Sequence, residues 1–180
     1  MKNLFFTIIL ILLNTVNSEA QMLKFGVKAG ANFNSLDGDD AKGFDTYTSF
    51  HFGALLEVKV FENFAIQPEL LYSSQGAKVS EENVKDINFS YVTVPVLAKF
   101  YLITDKLSLE AGPQFSFLID DNLEETLESK SFDFAAVGGL GFNFTENIFA
   151  QARYVAGLTD TTKDAEIKNR VIQISVGYRF

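Results

Sequence analysis

The sequence predicts an all-β fold, an eight-stranded antiparallel up-and-down transmembrane β-barrel, on three observations. Apolar and polar residues alternate with a period of two through eight separate stretches. Each stretch runs roughly 10 to 14 residues, and a tilted strand crosses a membrane in about 9 to 11. The connections alternate long, short, long, short, long, short, long. An even strand count, with short turns on one rim and long loops on the other, is the pattern of outer-membrane barrels.

The N-terminus is expected to be a processing segment. Lys2 is followed by an apolar run over 4–16, then by small residues at Ser18 and Ala20. That is the layout of a Sec-type signal peptide, residues 1–20, cut between Ala20 and Gln21. The run is short of the roughly 20 residues a helix needs to span, which argues against a membrane anchor. The barrel domain is then 21–180. The chain has no Cys, which removes disulfides, thiol catalysis and lipid attachment at a cysteine after the cut. Its net charge of -8 repels phosphate backbones, so no nucleic acid is expected as a partner.

The predicted strands are 23–33, 49–60, 64–76, 89–101, 107–119, 131–144, 148–158 and 170–180. The last gives the pattern in its plainest form. Ile172, Ile174, Val176, Tyr178 and Phe180 share one parity, and Val171, Gln173, Ser175, Gly177 and Arg179 the other. The first is similar, with Phe25, Val27, Ala29, Ala31 and Phe33 opposite Lys24, Gly26, Lys28, Gly30 and Asn32. Tight turns are expected at 61–63, 104–106 and 145–147, and long loops at 34–48, 77–88, 120–130 and 159–169. Both termini then lie on the periplasmic side and the long loops outside the cell.

Residue size gives the direction of the two faces. One carries Phe, Val, Ile, Leu and Tyr in nearly every strand, and the other Gly, Ser, Ala, Gln and scattered charges. An eight-stranded interior holds little more than its own side chains. The large residues therefore belong outside, against lipid, with Phe and Tyr near strand ends as interfacial girdles. A soluble lipocalin-like barrel, with the faces reversed, is the alternative. Pro68, Pro95 and Pro113 fall inside predicted strands, where each forfeits a ladder hydrogen bond; bulges or rim positions are expected there.

On this arrangement Lys24, Lys28, Lys59, Lys99, Arg153 and Arg179 point inward with Glu57, Glu69, Glu110 and Asp133. Unpaired buried charges are costly, so these groups are expected to pair and to fill the lumen. A conducting pore is the alternative.

The stretches FGVKAGANF (25–33), FAIQPELLYSSQGAK (64–78), YVTVPVLAKFY (91–101), LSLEAGPQF (107–115), FDFAAVGGLGFNF (132–144) and QARYVAGLTD (151–160) resemble the small outer-membrane β-barrel proteins of Bacteroidota, often labelled PorT-like. The terminal VGYRF (176–180) looks like the signal such proteins give to the barrel-assembly machinery, carried by Tyr178 and Phe180. The resemblance implies the fold and the cell outer membrane. It implies no common catalytic residues, and the link to secretion or gliding carried by the PorT name does not transfer on fold alone.

Little in the sequence points to catalysis. His51 is the only histidine, on the inward parity, with Ser73, Ser90 and Ser116 as candidate partners for a lipid-modifying enzyme. No HExxH, nucleophile elbow or phosphate loop occurs. Gly138, Gly139 and Gly141 lie inside a strand and indicate close packing or curvature. Glu69 and Glu110 are expected to form ion pairs. The four long loops carry -9 between them against -8 for the chain, so the acidity belongs to the outer rim. Asp37, Asp39, Asp40, Asp120, Asp121, Glu124 and Glu125 are the candidates for divalent cations bridging to lipopolysaccharide, or for a basic partner. The expectation is a non-enzymatic, monomeric barrel without cofactor, embedded in outer-membrane lipid, with a structural or surface-interaction role. A narrow channel for a small solute and a lipid-modifying enzyme are the rivals.

Overall fold

The computed structural model describes residues 23–37, 44–45, 47–79, 87–121, 132–159 and 168–180. The signal segment lies outside them. The strands are β1 (Leu23–Asp37), β2 (Phe44–Asp45), β3 (Tyr47–Phe61), β4 (Phe64–Val79), β5 (Ile87–Ile103), β6 (Leu107–Asp121), β7 (Phe132–Asn143), β8 (Ile148–Gly157) and β9 (Lys168–Arg179). All pairings are antiparallel, each long strand pairs with its sequence neighbour, and β9 closes on β1. The ring therefore has eight strands. The two-residue β2 adds only Phe44↔Val79 and Asp45↔Lys78 at the end of β4.

The faces fall as residue size demands. Phe25, Phe52, Leu70, Phe100, Leu140, Ile174 and Tyr178 are exposed on the outer wall, while Lys28, Glu57, Glu69, Lys99, Glu110 and Arg153 are buried inside. Lipid takes the apolar parity and the lumen the polar one, the reverse of a soluble barrel. Aromatic pairs line the outer wall at both strand ends. Phe25 stacks on Phe180 with ring centroids 6.3 Å apart, and Phe117 meets Phe132 at 5.5 Å.

Turn chemistry closes the short-turn rim. Asp105 takes a φ of 55°, a left-handed position that Asp tolerates better than most residues. Lys106 N–H donates to the Ile103 carbonyl at 2.9 Å. In the last turn Thr145 Oγ1 accepts from the Ile148 N–H at 2.9 Å. Several strands run past their expected ends, β1 to Asp37 and β5 to Ile103, because the ladder continues where the apolar alternation fades.

The prolines correct the expectation of bulges. Pro68 pairs with Val96 on the β5 side, but the β3–β4 ladder skips it. Pro95 pairs with Gln114 but is skipped on the β4 side. Pro113 pairs with Ala136 but is skipped on the β5 side. The register is unchanged across each gap. Each proline thus turns its missing N–H to one neighbour and keeps its place against the other, and the surrounding ladder holds the alignment. The register shifts lie elsewhere, at Lys59/Phe61, Ser90/Tyr91 and Tyr101/Ile103.

Candidate functional site

The lumen is organised by one chain of ion pairs. Inward parity places a single charged side chain from each of seven strands at a similar depth. Arg179 of β9 meets Glu57 of β3 at 2.9 Å, and Lys99 of β5 meets the same carboxylate at 2.8 Å. Lys99 also lies 3.4 Å from Glu110 of β6, which meets Arg153 of β8 at 2.8 Å. Arg153 grips Glu69 of β4 with two N–H donors, at 2.9 and 2.7 Å, and Glu69 meets Lys28 of β1 at 2.8 Å. Charge alternates along all seven members, from Arg179 to Lys28. Both ends are cationic and sit on adjacent strands of the closing seam.

Neutral groups complete the set. Tyr101 O–H donates to Glu57 at 2.8 Å, Gln151 to Glu110 at 2.9 Å, and Lys99 to Gln67 at 3.0 Å. Arg179 also donates to Asn143, and its guanidinium lies 4.7 Å from the Phe149 ring centroid. Lys28, Glu69 and Glu110 have wholly buried side chains. Burying charge is tolerated when each group is paired and hydrogen-bonded. Among the described residues only Arg179 Nε and Asn34 Oδ1 are buried without a partner.

The eighth strand of the ring, β7, contributes space. Gly139 stands in register between Glu110 and Arg153. A β-carbon there would lie 2.8 Å from Arg153 Cγ, and one at Gly141 would lie 2.4 Å from Glu110 Oε1. Gly138 faces lipid with nothing within 4 Å. The glycine run is therefore a gap through which Arg153 reaches Glu110.

A second cluster surrounds His51. Asn32 Nδ2 donates to the Ser74 carbonyl at 2.8 Å, so its Oδ1 faces His51 Nδ1 at 2.7 Å as an acceptor. Nδ1 then carries the hydrogen, and Nε2 accepts from Ser175 O–H at 2.7 Å. Gly30 lies between His51 and Ser175 in register, and a β-carbon there would lie 2.7 Å from His51 Cε1. The serine–imidazole–amide order is that of a hydrolase triad. Here Asn32 is 0% and His51 and Ser175 each 1% exposed. No substrate reaches Ser175, and the cluster ties three strands together.

The predicted partners of His51 are corrected. Ser73 bonds Asn32 at 3.1 Å, Ser90 bonds Tyr72 at 3.0 Å, and Ser116 accepts from Gln114 at 3.3 Å. Ser175 was visible only as an inward-parity residue, as were Asn32, Gln67 and Gln151. Three of the expected luminal charges, Lys24, Lys59 and Asp133, stand apart for a simple reason of depth. Lys59 pairs with Asp105 at 2.8 Å at the short-turn rim, with side chains 25% and 56% exposed. Asp133 lies near the opposite end of its strand, where it accepts from Thr159 O–H. Lys24 shares with Lys59, Asp105 and Lys106 a polar hollow of about 670 Å³ at the short-turn rim.

Of the acidic loop candidates, Asp37 ends β1, and Asp120 and Asp121 end β6, on opposite sides of the ring. Asp39, Asp40, Glu124 and Glu125 lie outside the described residues. No three His, Asp or Glu side chains among the described residues gather to hold a metal ion. Tyr178 and Phe180 meet edge to face at 5.4 Å, and Phe180 N–H donates to the Phe25 carbonyl at 2.8 Å.

The family described as outer membrane protein beta-barrel domain matches residues 17–163. The chain belongs to that family. Solved barrels agree in fold. Neisserial surface protein A is 13% identical, with a TM-score of 0.61, over 87% of this chain and 97% of its own. Ail, the attachment invasion locus protein of Yersinia pestis, is 16% identical at a TM-score of 0.56, over 87% of this chain and 98% of its own. OprG from Pseudomonas aeruginosa is 12% identical at 0.53, over 88% and 94%. No curated protein sequence matches the chain. The protein is an eight-stranded barrel of the outer membrane, and among the described residues its lumen is filled by packed side chains and ion pairs.

Proposed function

We propose that the protein is a closed, non-conducting and non-catalytic barrel that acts through its outer rim. The observation that carries this is the seven-membered ion-pair chain across the lumen, since paired and buried side chains leave no hydrated path. On this reading the chain is exported by residues 1–20 and recognised by the barrel-assembly machinery through Tyr178 and Phe180. It inserts as a monomer with both termini in the periplasm. The likeness of the stretches quoted above supports reading it as one of the PorT-like barrels of Bacteroidota.

The four long loops would then present -9 to the outside. That sign suits a basic protein partner, or divalent cations that bridge carboxylates to lipopolysaccharide phosphates. Ail has been solved with a heparin analogue, sucrose octasulfate. A polyanion of that kind is the wrong sign for this rim. The test is conductance of the purified full-length protein in planar bilayers. The expected record is flat at physiological salt; steady unitary currents would overturn the proposal in favour of a narrow channel. Neutralising Asp120, Asp121, Glu124 and Glu125 to their amides should weaken binding of a polylysine probe to whole cells. Unchanged binding would remove the rim from the account.

A further inference from the structure

We infer that a hollow in the outer wall of β3, β1 and β9 holds one acyl chain of a phospholipid. The hollow is open along the outer wall, has a volume of about 780 Å³ and is lined almost wholly by apolar groups. Two cross-strand rows build it. Ala54, Val27 and Tyr178 face one another in the first, and Phe52, Ala29 and Val176 in the second. Each row sets an alanine among larger side chains, so the wall is notched where Ala54 and Ala29 stand. Phe52 and Tyr178, 51% and 46% exposed, rise on either side. Between the rows runs Gly53–Lys28–Gly177. Gly53 and Gly177 share the inward parity of Lys28 and face the lumen, where a β-carbon at Gly53 would lie 2.1 Å from the Leu70 carbonyl oxygen of β4 and one at Gly177 would lie 2.2 Å from the Phe149 ring of β8.

The occupant follows from the surroundings. This wall is continuous with the lipid-facing surface of an outer-membrane barrel, so hydrocarbon is the phase at hand. Water gains no partners in an apolar notch, and an unfilled notch forfeits dispersion contacts. A flexible chain follows a groove running along two rows. A second barrel does not fit as well, because the seven outward side chains that line the hollow, Ile148 of β8 among them, fall far short of the roughly 20–30 residues a side of a stable protein contact. Tyr178, two residues from the end of the chain and on the short-turn side, sets the headgroup end, as interfacial tyrosines do. The choice of a phospholipid over lipopolysaccharide rests on the orientation proposed above, which puts that end in the periplasmic leaflet.

Native mass spectrometry tests this. The full-length protein is extracted from outer membranes in mild detergent, or recovered from phosphatidylethanolamine vesicles. The wild type should retain one phospholipid per barrel. Ala54→Phe, which fills the notch, should retain none. Ala111→Phe, the same change on the opposite wall, should still retain one. If Ala54→Phe loses its heat-modifiable gel shift, Ala29→Leu serves instead. Equal retention by the wild type and the filled variant, or no retention by either, would overturn the inference and leave the orientation standing. Retained lipid A would overturn the leaflet and the orientation together. A dimer that the filled variant loses would assign the hollow to a second copy and sink the lipid reading.

Discussion

Glu69→Gln isolates the worth of the luminal chain. The carboxylate is wholly buried, lies 2.8 Å from Lys28, and takes two donors from Arg153. The amide keeps the volume and removes the charge. Arg153 retains Glu110 at 2.8 Å, whereas Lys28 is left with the neutral Gln151 oxygen at 3.3 Å. Breaking one side of a buried pair costs about 3 to 5 kcal/mol, because the orphaned cation stays desolvated. At about 1.4 kcal/mol per decade, the folded-to-unfolded ratio should fall by roughly two to three and a half decades. The assay is urea unfolding in phospholipid vesicles, followed by far-UV circular dichroism and by heat-modifiable gel migration, since the chain has no Trp. Adding Lys28→Met removes the orphan, and the double variant should recover most of the loss. A cost under about 1 kcal/mol for Glu69→Gln, or no recovery in the double variant, would mean that water reaches these charges. The closed lumen would then be wrong.

Further outcomes follow from the same geometry. Lys59→Ala should cost under about 1 kcal/mol in the same titration, because its partner Asp105 is half exposed and rim pairs are weak; a larger loss would place Lys59 in the luminal chain after all. Ser175→Ala leaves His51 Nε2 without its donor and should cost about 1 to 3 kcal/mol, which chemical unfolding measures. Gly30→Val should cost about 3 kcal/mol, at the upper end for overpacking, since even a β-carbon there lies 2.1 Å from the Ile174 carbonyl oxygen. Deleting Phe180 removes its stacking on Phe25 and its backbone bond. The heat-modifiable band should disappear from the outer-membrane fraction, and a full-strength band would refute the assembly role.

Parity was legible in the sequence because side chains alternate strictly and lipid and lumen demand opposite chemistry. It placed Lys28, Glu57, Glu69, Lys99, Glu110, Arg153 and Arg179 on the inner face. Which of them meet was hidden, because parity carries no information on stagger. His51 and Ser175 are 124 residues apart and meet only through the registers of two seams. Depth was hidden for the same reason, so Lys59 and Asp133 shared the right face and the wrong level. The prolines misled because a missing donor suggested displaced backbone, whereas a closed ring holds alignment from both sides. The strand ends were missed where polar residues such as Asn34 and Ser35 continue the ladder of β1 without apolar alternation.

The inward glycines act as doorways. Gly30 lets His51 reach Ser175 across β1, and Gly139 lets Arg153 reach Glu110 across β7. Each therefore joins strands that are not neighbours, so the wall is braced across its bore as well as along its seams. One consequence concerns the last step of assembly. Arg179 and Lys28 flank the closing seam with like charge, and each finds its carboxylate elsewhere, on β3 and on β4. A terminal strand seated two residues out of step keeps its parity and its apolar face, yet moves the guanidinium away from Glu57. The wall alone accepts such an error; the braces inside reject it.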